Sequence, residues 1–195
     1  MNTHPGVLAG VVVILIVVGV AIWLEYRKRQ SLRLQQRFGA EYGRTVQKLG
    51  SRTKAELDLR ARESRVARFA IVPLDAADAQ RFTEAWERLQ RRFVDSPKGA
   101  VAEADELVRE LMSRRGYPMG DFERRAADIS VDHPKVVENY RLAQAIATRD
   151  KHGKADTEEL RKAVVHYRAL FDELLEVGHT KLDARPAARR VEASS

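Results

Sequence analysis

Hydrophobic positions fall into three regimes along the chain. Residues 7–24, VLAGVVVILIVVGVAIWL, are apolar or glycine without a charge over 18 residues. From 25 to 69 apolar side chains are sparse and scattered among Arg, Glu and Ala. From 70 to 178 they recur at the i, i+3, i+4 spacing of amphipathic helices, and no period-2 alternation runs between turn signals. This pattern predicts an all-α protein: an N-terminal transmembrane helix, a basic helical stalk, then a compact bundle of about four helices plus one short helix. Residues 1–6 are expected as a short non-cytoplasmic N-terminus and 179–195 as a disordered tail.

The first regime is read as a membrane span. Eighteen residues at ~1.5 Å rise give ~27 Å, about one hydrocarbon core, and only a helix satisfies its own backbone there. Trp23 and Tyr26 mark one interface as an aromatic belt. A cleaved leader is the competing reading, but MNTHPG carries no Lys or Arg and no small-x-small cleavage site follows. A buried core helix fits poorly with a run that is apolar all round at the extreme N-terminus.

In the second regime, Arg27 to Phe38 is expected to continue the membrane helix into water, and Gly39 and Gly43 to bracket a break in GAEYG. Arg44 to Arg68 is expected as one further helix. Its apolar residues Val46, Leu49, Leu57 and Val66 hold no heptad, because Thr53 and Glu56 fall on the seam. A solvated helix or partly ordered linker is therefore predicted over 25–69.

The third regime resolves into helices through its caps and stripes. Asp75 caps a helix over 76–94 with Phe82, Trp86, Leu89 and Phe93 on one face. Ser96-Pro97 opens 98–115, where Val101, Ala104, Leu107, Val108, Leu111 and Met112 form a stripe ended by Gly116. Asp121 caps a short helix through Asp128. Pro134 is expected to open the next, with Val136, Val137, Tyr140, Ala143 and Ile146 inward and a stop near Gly153. Asp156 and Glu159 form a capping box for a last helix to Val177 and Gly178, with Leu160, Val164, Tyr167, Phe171 and Leu174 inward. A bundle over 70–178 buries these faces.

Charge sharpens this division. The chain has no cysteine, which excludes disulfides, thiolate metal sites and cysteine nucleophiles. Glu25–Arg68 carries 13 Lys/Arg against 5 Asp/Glu, a net of +8, whereas Asp75–Glu176 carries 18 against 21, a net of −3. The basicity that sets the pI near 9.9 thus lies beside the apolar run. Arg27, Lys28, Arg29, Arg33 and Arg37 follow that run and none precedes it. The positive-inside rule therefore predicts an N-terminus outside and a cytoplasmic body at a cell (inner) membrane, with an extracytoplasmic body as the alternative. With Trp23 and Tyr26, these five residues form the predicted membrane interface, and their charges suit anionic lipid headgroups. The basic residues of 44–68 are expected beyond lipid reach if the helix projects outward; they either lie along the membrane or contact nucleic acid, a further candidate partner.

Candidate chemistry is thin. Asp121, Glu123, Asp128, Asp132 and His133 suggest a metal or acid–base cluster, but no HExxH, DxDxDG, GxSxG, P-loop or GxGxxG occurs. The simpler reading makes Asp121 and Asp132 helix caps, Glu123 a first-turn acid and His133 a turn residue before Pro134. His166 is expected on a flank beside an inward Tyr167. No catalytic residue, metal ligand or cofactor is assigned. Tyr117-Pro118, Phe122 and His133 are candidates for an exposed partner-binding loop, or for a plug at the end of the bundle.

The stretch GYPMGDFERRAADISVDHPKVVENYR, with RFGAEYGRTV upstream, resembles an uncharacterised family of small bacterial proteins usually named hypothetical or secreted. Those pair an N-terminal membrane segment with a helical body. The resemblance covers Arg37 to Leu175 and implies that architecture, with no activity attached. Ala40 and Gly43 stand where the family pattern has Pro and Asp, so the turn there is expected to differ. Three function classes follow. The first is a membrane-tethered, non-enzymatic module that binds another protein. The second is an electrostatic adaptor whose Arg-rich stalk binds anionic lipid or nucleic acid. The third is an enzyme with an unrecognised site near 121–133.

Overall fold

The computed structural model describes the backbone of residues 5–183 and the side chains of residues 14–175. Within these residues the chain is all-α: α1 Pro5–Phe38, α2 Ala40–Leu49, α3 Arg52–Val66, α4 Ala76–Phe93, α5 Pro97–Arg114, α6 Phe122–Asp132, α7 Val137–Lys151 and α8 Thr157–Asp183. No strand occurs among them. Two compact units divide the chain, Met1–Arg60 and Ala61–Ser195, and α3 begins in the first and ends in the second.

In the first unit, α1 runs without a break from the apolar segment into the basic one. No helix is long and apolar enough to cross a membrane among the described residues. Residues 7–13 of the expected span lie outside the described side chains. Gly39, at a φ of 50°, interrupts the backbone between α1 and α2, a conformation that costs glycine little. Gly43 lies inside α2. A second break at Gly50, whose φ of 63° ends α2 in a left-handed cap, divides the single helix expected over 44–68 in two.

That segment also buries more than its sparse apolar residues suggest. Leu34, Phe38, Tyr42, Ala55 and Leu59 are buried, whereas Leu57, expected among the apolar positions, is exposed. On α3 the buried stripe is Ala55, Leu59, Arg62 and Val66, at i, i+4, i+7, i+11. An alanine and the aliphatic stem of an arginine occupy places where a hydropathy pattern looks for large apolar residues.

The second unit follows the predicted stripes closely. α8 packs against α5 and α7, and α4 packs on α5. Phe82, Trp86 and Leu89 of α4 and the whole predicted stripe of α5 are buried, as are Leu160, Tyr167, Phe171 and Leu174 of α8. Trp86 stacks tilted on Phe171 at 4.6 Å between ring centroids, and Tyr140 meets Tyr167 edge-on at 6.3 Å. The caps form as expected at Asp75, which accepts from the Asp78 amide at 2.7 Å, and at Asp121, which accepts from Arg124 at 2.8 Å. The capping box closes in both directions, Glu159 N–H to Asp156 at 2.8 Å and Asp156 N–H to Glu159 at 3.1 Å.

Four local expectations are corrected. Ser96 makes no side-chain cap, although Pro97 does open α5. α6 runs on to Asp132, past the expected stop at Asp128. α7 starts at Val137, because Pro134 sits in a turn in which the Val136 and Val137 amides both return to the His133 carbonyl. α8 continues to Asp183, past the expected stop at Gly178. The remainder of the expected tail, 184–195, lies outside the described residues.

Candidate functional site

The distinctive stretch from Gly116 to Tyr140 turns its polar groups inward. Gly116 adopts a φ of 92°, and a Cβ there would lie 2.4 Å from the Ala70 carbonyl oxygen. Next to it the Val72 amide donates to the Arg115 carbonyl at 3.0 Å, which fixes the segment after α3 against the end of α5. Tyr117 is buried and donates to Asp132 at 3.0 Å. Burial pushes the Tyr117 hydroxyl well above its ordinary pKa, and the neighbouring Asp132 carboxylate adds to this. Asp132 therefore receives a tyrosine and does not cap a helix. Phe122 is half-buried against Tyr140, with centroids 5.0 Å apart.

His133 is also buried, with Nδ1 3.1 Å from Glu173. Burial lowers its pKa, and the Glu173 carboxylate opposes without reversing this. Asp128 is buried under Arg65, whose Nε and Nη2 donate to one carboxylate oxygen at 2.8 and 2.6 Å. Glu123 pairs with Arg141 at 3.1 Å. Each member of the suggested cluster thus has a separate local partner, and no group of three or more potential ligands gathers among the described residues. Tyr117 and His133 lie in the interior, which corrects the exposed-loop expectation for them. His166 is half-buried, with Nδ1 2.9 Å from the Asn139 carboxamide oxygen.

A different locus emerges in the first unit. Trp23 and Tyr26 are exposed on α1, Arg27 lies over the Trp23 ring at 4.8 Å, and Arg29 pairs with Glu25 at 3.2 Å. Lys28 and Arg33 are exposed, and Arg37 is half-buried. One turn beyond Arg27, the Ser31 hydroxyl donates to Glu56 of α3 at 2.6 Å. Tyr42 of α2 donates to the same oxygen at 3.0 Å. Arg52 completes the set, with Nε 2.9 Å from the Tyr42 hydroxyl and Nη2 2.6 Å from Ser31. Burial would raise the Glu56 pKa, but hydrogen bonds from Ser31 and Tyr42 and the charge of Arg52 outweigh it, and the carboxyl is held below its ordinary value.

Beside this network lies a cleft of about 410 Å³ lined by Trp23, Tyr26, Arg27, Gln30, Thr53, Glu56, Leu57 and Arg60. A shallower one of about 260 Å³ shares Arg27, Thr53 and Glu56 with it and adds Lys28, Ser31 and Arg52. Sequence reasoning did not single out Arg52 and Arg60, leaving open whether the basic residues of 44–68 lie along the membrane or project away from it. The available signal was Glu56 itself. A carboxylate on an otherwise amphipathic seam reads as an interruption, yet it also suits a polar anchor with charged and hydroxyl partners.

Compared with known proteins, the chain matches no family model, no curated protein and no solved structure.

Proposed function

We propose that α1 anchors the chain in a bilayer and that the helical unit Ala61–Ser195 is a non-enzymatic module for binding another protein. The observation that carries the anchor is the surface of α1 from Ile14 to Leu24. Large apolar side chains point outward on every side of it, from 48% exposed at Val18 to 66% at Ile22. An all-round apolar surface of this kind needs lipid or protein around it. Together with residues 7–13 the uncharged run reaches the length of a hydrocarbon core, and it ends at Trp23 and Tyr26 followed by Arg27, Lys28 and Arg29. The basic residues that follow the run, Arg27, Lys28, Arg29, Arg33 and Arg37, favour a cytoplasmic body.

The interaction role is supported by how the second unit spends its polar groups. The acids between Asp121 and Asp132, with His133, serve a cap and side-chain pairs, and the large side chains the unit leaves outside include Leu142 of α7, 45% exposed, and Val165 of α8, 56% exposed. These flank the His166–Asn139 contact that joins the two helices. Photo-crosslinking in intact cells tests this role, with a photoreactive residue at 142 or 165 and a control at the exposed position 90 on α4. The reading expects a discrete protein adduct from 142 or 165 and none from 90. Equal labelling from all three positions contradicts it.

A further inference from the structure

We infer that the cleft between α1 and α3 holds the phosphate headgroup of an anionic phospholipid. This rests on the membrane anchor proposed above and deepens it. Diffuse attraction needs only charge near the surface. Here Arg27 of α1 faces Arg60 of α3 across the larger cleft, and Arg27 and Lys28 face Arg52 of α3 across the neighbouring smaller one. Side chains separated by more than twenty residues are thus gathered at the level of the aromatic pair, where a span ending at Leu24 would meet headgroups.

The acid among them is already satisfied. Glu56 accepts from Ser31 and Tyr42 and pairs with Arg52 at 3.4 Å, and its second oxygen lies 3.9 Å from Arg60. Arg27 and Arg60 line the larger cleft, and Lys28 and Arg52 join Arg27 around the smaller one, so the two together set four basic residues against one committed carboxylate. A volume of about 410 Å³ falls within the ~300–1,000 Å³ of small-molecule sites. Its lining is graded: Trp23 and Leu57 are apolar, Thr53 and Gln30 carry hydrogen-bonding groups, and the guanidinium groups can fork onto phosphate oxygens. Such a gradient matches a lipid whose acyl chains lie along the apolar part of α1 and whose phosphate enters among the arginines. A free anion would use only the basic half.

The chain contains two tryptophans, and Trp86 has no exposed surface, so Trp23 reports on the cleft. The full chain is reconstituted with brominated lipids at equal mole fraction, either phosphatidylglycerol or phosphatidylcholine, and tryptophan quenching is compared. The inference expects at least an about fivefold preference for the anionic lipid. The double variant Lys28→Gln/Arg60→Gln should bring this close to parity. Arg33→Gln/Arg44→Gln, which removes equal charge from exposed positions outside the cleft, should keep most of it. Circular dichroism on both variants confirms that the helices persist. Equal loss in the two pairs reduces the effect to diffuse charge and overturns the site. Displacement of the anionic lipid by millimolar inorganic phosphate overturns the lipid assignment in favour of a free anion. Absence of quenching by either lipid overturns the anchor itself, a result distinct from quenching without preference.

Discussion

Ser31 and Glu56, 25 residues apart in sequence, meet in a 2.6 Å hydrogen bond, and the oxygen they share also receives Tyr42. One carboxylate therefore ties α1, α2 and α3 together in a segment whose composition suggests a solvated linker. Glu56→Gln removes the charge that Arg52 and both hydroxyl donors address, and charge-assisted bonds contribute about 1.5–3 kcal/mol each. Hydrogen exchange of amides over 30–60 should accelerate about tenfold or more, while amides of α5 and α8 keep their protection. Because the folded Glu56 pKa is lowered, its stabilisation is present above the unfolded value near 4.5 and is lost as pH falls through the folded one.

Arg65 and Asp128 form a second anchor, within the larger unit. Asp128 is almost wholly buried, so Arg65→Ala leaves an uncompensated charge and should cost about 3–5 kcal/mol. Asp128→Asn, which keeps the shape, should cost less. The double variant Arg65→Ala/Asp128→Asn should be more stable than Arg65→Ala alone. Urea denaturation of the three variants checks the order.

His133 gives the bundle an acid sensitivity. Its folded pKa lies below the ordinary histidine value near 6.5, so the unfolded chain binds the proton more readily and stability falls as pH drops below about 6.5. His133→Gln should flatten the loss of melting temperature between pH 7 and 5. An unchanged slope would assign that loss to other groups.

Gly116→Ala tests the contact between the end of α5 and the segment at Ala70. The positive φ and the 2.4 Å approach to the Ala70 oxygen both oppose a Cβ. A cost of about 1–3 kcal/mol is expected, read as a melting-temperature drop of roughly 2–4 °C per kcal/mol.

The second unit was legible because its helices advertise themselves. Phe82, Trp86 and Leu89, or Leu107, Val108 and Leu111, carry a helical period in large apolar side chains, and Asp75, Asp121 and the Asp156–Glu159 pair mark the starts. The first unit hid its structure in small and charged residues. Ala55 and Arg62 occupy buried places, and Gly50 breaks a run that propensity alone joins. The cleft was illegible for a related reason: no local pattern indicates that Arg52 and Arg60 return to the level of Arg27. Likewise Tyr117 and Asp132 looked like a loop and a cap, and only the fold brings them into one hydrogen bond.

The anchor is tested most directly by sidedness. The chain has no cysteine, so Thr3→Cys and Ser194→Cys can each be labelled with a membrane-impermeant maleimide in intact cells, then after lysis. The proposal predicts that Thr3→Cys reacts in intact cells and Ser194→Cys only after lysis. Reaction of both sites on the same side of the membrane would contradict a span by α1.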